Sequence, residues 1–129
     1  MPSNKKLLQA AAGNAGGDPL YVEDVFSTYL WTGTGSSLAI ANGIDLSGEG
    51  GLVWIKARNN ARNHALYDTE RGANLLASNT TAAQFGSPGM SANSDGFTVV
   101  DNSVNKVNET IASWTFRKAE KFFDVVTYT

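Results

Sequence analysis

From Val22 onward the chain is written in one local grammar: short segments rich in Val, Ile, Thr and aromatic residues, cut apart by clusters of Gly, Asn, Ser and Asp. Successive side chains of a strand point to opposite faces, so such segments bury an apolar face only by pairing into sheets that stack on something. Strands are expected near residues 25–32, 37–41, 51–57, 63–68, 74–78, 97–101, 109–117 and 122–129. Turn chemistry separates them at Thr34-Gly35-Ser36, Ser47-Gly48-Glu49-Gly50-Gly51, Asn59-Asn60 and Ser94-Asp95-Gly96. The long connection from Thr80 to Asn93 exceeds ordinary hairpin length and reads as a surface loop. With no convincing internal helix, the pattern predicts an all-β domain, an antiparallel sandwich or jelly roll, preceded by a short helical or extended N-terminal arm.

Two segments refine that expectation. In residues 109–117, Ala112, Trp114 and Phe116 share one face while Ile111, Ser113, Thr115 and Arg117 share the other. Leu52-Val53-Trp54-Ile55 is apolar on both faces, which predicts a central strand covered on both sides. Trp31, Trp54 and Trp114 each fall inside a predicted strand, so they and Phe116 are assigned to the core, with Trp54 and Trp114 buried on facing layers. The competing reading makes the tryptophans a platform on which sugar rings stack.

The chain's last segment repeats its first strand. Phe26-Ser27-Thr28-Tyr29-Leu30-Trp31-Thr32 is echoed by Phe123-Asp124-Val125-Val126-Thr127-Tyr128-Thr129, and in the first copy Gly33 follows at once to make the turn. The echo is read as one complete β unit followed by the opening strand of a second, within a longer chain. Ahead of the first unit, Ser3 or Asn4 can cap a short helix through Ala12, with Leu7, Leu8 and Ala11 on one side and Gly13 as its stop. Gly13-Asn14-Ala15-Gly16-Gly17-Asp18-Pro19 is linker composition. The expected organisation is an anchoring arm and linker over residues 1–21, a β-sandwich domain over 22–121 and a truncated second unit over 122–129, with Lys5, Lys6, Leu7, Leu8 and Ala11 as the anchoring residues.

Composition removes several function classes. A formal net charge of −2 and scattered Lys and Arg leave no basic stripe for phosphates, so no nucleic-acid partner is expected. Zero cysteines exclude disulfides, thiolate metal sites and cysteine nucleophiles. No apolar run approaches the roughly 20 residues of a membrane span, and Met1 to Ala12 is too broken by Gln9 to act as a signal peptide.

Chemistry is sparse. His64 is the single histidine, and on a strand Asp68 lies two pleats away, too far to orient its ring. No G-x-S-x-G elbow accompanies it, so a hydrogen-bonded histidine at a strand end is expected rather than a base. One histidine without cysteine cannot fill a zinc shell. Gly33-Thr34-Gly35-Ser36-Ser37 lacks the lysine and helix of a phosphate loop. Asp68, Glu70, Arg71 and Gly72 instead read as a structural corner, in which the planar guanidinium clamps Asp68 and Gly72 supplies positive φ. No catalytic residue, metal or cofactor is expected, and the chain is not read as an enzyme.

Taken together, Gly51-Leu52-Val53-Trp54-Ile55-Lys56-Ala57-Arg58, His64-Ala65-Leu66-Tyr67-Asp68-Thr69-Glu70-Arg71-Gly72-Ala73, Leu76-Ala77-Ser78-Asn79-Thr80-Thr81-Ala82-Ala83, Ser94-Asp95-Gly96-Phe97-Thr98-Val99 and Ala112-Ser113-Trp114-Thr115-Phe116-Arg117-Lys118 form an ordered set of motifs. Over residues 22–129 the chain resembles an uncharacterised domain, often in tandem, of large structural proteins in tailed bacteriophages. The resemblance implies the N-terminal, virion-proximal part of a tail fibre or similar appendage, a homotrimer by analogy, carried in the virion after assembly in the host bacterial cytoplasm. Its implied partners are other virion proteins of tail, neck or capsid, and a host surface receptor reached through distal parts outside this sequence. It implies no catalytic residues. Alternatives are a lectin-like, carbohydrate-binding receptor module and a head-fibre or decoration protein.

Overall fold

The computed structural model describes residues 19–128. The expected anchoring residues Lys5, Lys6, Leu7, Leu8 and Ala11, with the helix and most of the linker, lie outside the described residues.

The described residues form nine strands and two single-turn helices: α1 (Val22–Val25), β1 (Phe26–Thr32), β2 (Leu38–Ala41), α2 (Leu46–Glu49), β3 (Gly51–Ala57), β4 (Ala65–Asp68), β5 (Asn74–Ala77), β6 (Phe85–Gly86), β7 (Met90–Asn93), β8 (Gly96–Val99) and β9 (Thr110–Arg117). They make two antiparallel sheets, one of six strands in the order β1-β9-β3-β4-β5-β6 and one of three in the order β2-β8-β7. The sheets stack as a sandwich. Their shared core joins Ile40, Phe97 and Val99 of the small sheet to Val53, Ile55, Ala65, Tyr67, Leu75 and Ile111 of the large one. Trp31, Leu38, Met90 and Ala92 pack against its margin.

Strand β3 shows strict alternation, with Gly51, Val53, Ile55 and Ala57 buried and Leu52, Trp54 and Lys56 between them half-buried. It is central, between β9 and β4, as its apolar run predicts. Its second face, however, is only partly covered.

The N-terminal edge is tied to the C-terminal strand, Phe26 opposite Phe116 and Thr32 opposite Thr110. Just beyond, Gly33 is buried, its N–H donates to the Glu109 carbonyl at 2.8 Å, and its own carbonyl accepts from Asn108 N–H at 3.2 Å. A Cβ here would sit 1.9 Å from the Lys106 carbonyl oxygen. The glycine after the first echo is therefore required by a close backbone approach.

Three expectations need correction. The connection from Thr80 to Asn93 is not a bare surface loop: it contains β6 and β7, and β7 forms a hairpin with β8 in which Asn93 faces Gly96. Met90-Ser91-Ala92-Asn93 lacks β-branched residues and so escapes the strand pattern, although Met90 and Ala92 still alternate onto the core. Val25, expected at the start of the first strand, instead ends a helical turn over Val22–Val25, with Asp24 accepting from Tyr21 N–H at 3.3 Å and Val25 fully buried. Finally, residues 124–128 join no ladder; Phe123 makes only an isolated bridge to Ala119.

Candidate functional site

The outer face of the large sheet carries four aromatic residues in register, Phe26, Phe116, Trp54 and Trp114. Phe26, Phe116 and Leu52 form one row, and Thr28, Trp114, Trp54, Leu66 and Leu76 the next. Trp54 and Trp114 are thus cross-strand neighbours on one face, with ring centroids 5.1 Å apart and planes inclined at 48°. This corrects their expected placement on facing layers of the core. Trp54, Trp114 and Phe116 are half-buried on the outside, and only Trp31 of the four turns toward the core, edge-on to Phe97 at 6.1 Å. The reason lies on the opposite face of β9, where Ser113 and Thr115 are buried. Sheet stacking needs small side chains there, and Thr115 Oγ1 accepts from Asn42 Nδ2 at 3.1 Å. Indoles on that face would hold the sheets apart.

His64 supports this outer face. Its Nδ1 accepts from Trp54 Nε1–H at 2.9 Å, which puts the proton of the neutral ring on Nε2. Its backbone N–H is held by Asn79 Oδ1 at 3.0 Å. The histidine is the strand-end hydrogen-bonded residue that its position predicts, and it fixes the Trp54 ring. At the end of the sheet Phe116 lies between two rings, Phe26 at 5.0 Å and Phe123 at 5.3 Å, the latter stacked at 27°.

At the corner the Asp68 and Arg71 side chains lie together. Asp68 Oδ1 accepts from the backbone N–H of Glu70 at 3.0 Å and of Arg71 at 2.8 Å, while Oδ2 accepts from Arg71 Nε at 2.6 Å and pairs with its Nη2. Gly72 follows at φ +65 with nothing near a would-be Cβ, so conformation rather than space selects glycine. Glu70 is directed to Lys118 at 2.7 Å, joining the corner to the end of β9 and holding the Lys118 ammonium above its ordinary pKa.

Two polar clusters have no signature in the sequence. Asn105 is fully buried; its Oδ1 accepts from Trp31 Nε1 at 2.9 Å and Thr34 N–H at 3.3 Å, and its Nδ2 donates to Thr34 Oγ1 and the Ser36 carbonyl. Glu109 is buried with Asn60 Nδ2 and Arg62 Nε each 2.7 Å from Oε1. Burial alone would raise its pKa, but hydrogen bonds from Arg62 and Asn60 and the charges of Arg62 and Lys106 prevail and hold it below its ordinary 4.5. Their partners lie 47 to 74 residues away, beyond any spacing rule. Glu109 borders a cleft of about 370 Å³ floored by Ile55, Ala65, Leu75 and Ile111. At its rim Tyr67 Oη lies 3.2 Å from Ser87 Oγ, and burial holds that phenol above its ordinary pKa.

Because the Glu109 pKa is depressed in the folded chain, its contribution to stability is full above about 4.5 and is lost as pH falls through the lower folded value. Glu109→Gln should flatten the acid side of the stability profile. Urea midpoints measured on both chains as pH is lowered from neutral check this.

Asp68, Glu109 and His64 are each engaged by structural partners. Among the described residues no three metal-ligating side chains cluster, and no helix is long and apolar enough to cross a membrane.

This two-sheet sandwich is a family domain. Residues 22–125 match the Domain of unknown function (DUF7483), and the chain belongs to that family. No curated protein and no solved structure matches the chain.

Proposed function

We propose that this protein is a non-enzymatic structural component of a bacteriophage virion, the virion-proximal part of a tail fibre or similar appendage. The observation that carries the reading is the outer face of the six-stranded sheet. Phe26, Trp54, Trp114 and Phe116 lie there half-buried in continuous rows, where a free-standing soluble domain would place polar side chains. Such a face suits a module that works against other protein layers, as in a homotrimeric shaft. The resemblance of residues 22–129 to domains of phage structural proteins supports the same reading, with residues 1–17 as the attachment element. Deleting residues 1–17 should give particles that lack this protein while the β domain still folds. Normal incorporation of the shortened chain would contradict the proposal.

A second reading, a carbohydrate-binding receptor module, is favoured by one feature: the adjacent Trp54 and Trp114 rings, one of them fixed by His64. Trp114→Ala separates the two. With part of the ring already in water, the substitution should cost less than the roughly 3–5 kcal/mol of a fully buried aromatic, as read by chemical denaturation. Retained stability with abolished binding on a glycan array would favour the receptor module.

A further inference from the structure

Strand β1 forms one end of the large sheet and pairs only with β9; among the described residues nothing pairs with its other edge. It is seven residues long and contains no proline and no charge, so it carries none of the usual devices that keep an edge from recruiting another strand. The opposite end of the sheet, β6, has two residues and is too short to act as a template.

The exposed apolar side chains gather at this edge and on one other segment. Of the seven large apolar residues exposed among the described residues, Tyr29 (36%) and Leu30 (61%) are on β1, while Phe122 (37%), Val126 (73%) and Tyr128 (91%) are on the segment after β9. That segment has the composition of a strand, repeats the β1 pattern from Phe123 onward, and joins no ladder. The molecule therefore presents a strand edge without a strand and a strand sequence without an edge.

We infer that the free edge of β1 is completed by residues 123–128 of a second copy of this chain, added as a further strand. A second copy is favoured over the chain's own segment by strand direction. Phe123 is stacked on Phe116, which is paired with Phe26 at the start of β1, so in the same chain the segment would have to run parallel to β1. A second copy can approach antiparallel, the slightly more stable pairing. Main-chain hydrogen bonds would hold the added strand, and Val126 and Tyr128, two residues apart and so on one face of it, would cover apolar surface on one side of the sheet, where Leu30 lies on the face of Trp114 and Tyr29 on the other. Each copy both gives and receives a strand, so the contact is head-to-tail and closes a ring or extends a row. The inference does not depend on a virion role.

Two variants test it: Leu30→Lys puts a charge on the receiving edge, and Val126→Asp puts one on the donated strand. Both positions are well exposed, and circular dichroism checks that each variant keeps its fold. By light scattering over a concentration series, the unmodified chain should self-associate and each variant should do so about tenfold more weakly or worse. Mixing the two variants should restore a one-to-one dimer, because the intact segment of the Leu30→Lys chain can still dock on the intact edge of the Val126→Asp chain. A chain that stays monomeric at every concentration, association untouched by Val126→Asp, or two weakened variants that fail to rescue each other would each overturn the inference. Untouched association in Val126→Asp would assign it to the Trp54 and Trp114 face instead.

Discussion

Phe97→Ala should destabilise the domain by about 3–5 kcal/mol, the range for truncating a buried aromatic, and so remove much of the roughly 5–15 kcal/mol that holds a typical domain folded. Phe97 is completely buried on β8, the middle strand of the small sheet, with Ile40 opposite it on β2 and Ala92 on β7. It is the largest apolar side chain that the small sheet presents to the core, and Trp31 lies edge-on to it at 6.1 Å. Truncation would open a cavity where the two sheets meet. Phe97→Leu, which keeps most of the volume, should cost less. Urea denaturation of both variants checks this, and a loss under about 1 kcal/mol for Phe97→Ala would mean that the sheets do not stack through this ring.

The second large effect belongs to the corner. Arg71→Met should cost about 3–5 kcal/mol, because removing one partner of a buried pair leaves the other charge uncompensated. The Asp68 side chain is wholly inaccessible while Arg71 is 18% exposed, so the penalty falls on the carboxylate left behind. Two backbone N–H donors would remain for it, but only through Oδ1. Arg71→Lys should fall between the wild type and Arg71→Met, since an ammonium keeps the charge without the fork. Thermal melts of the two variants order these effects. Equal stability of Arg71→Met and the parent would show that the clamp holds nothing.

Which features were legible in the sequence follows from how local their causes are. The Asp68 to Gly72 corner could be read because its carboxylate, guanidinium and glycine fall within five consecutive positions. The Ser94-Asp95-Gly96 turn was legible ahead of β8, yet the strand before it was not, because Met90 and Ala92 alone carry the apolar alternation of β7. The aromatic face was misassigned for a different reason. Alternation in β9 separates Trp114 and Phe116 from Ser113 and Thr115 but does not say which set turns inward. Hydrophobicity chose the aromatics; the close stacking of two sheets chose the small residues. The Asn105 and Glu109 networks were invisible, since a buried amide and its partners on distant segments are brought together only by the finished fold.

The proposed place of this protein, as a non-catalytic part of a virion, is tested most directly by labelling purified phage particles with antibodies raised against residues 22–121 and imaging them by electron microscopy. The account predicts label at one regular set of positions on intact particles, on an appendage or at its point of attachment. Particles that carry no label, with the protein recovered free in the host lysate, would contradict it.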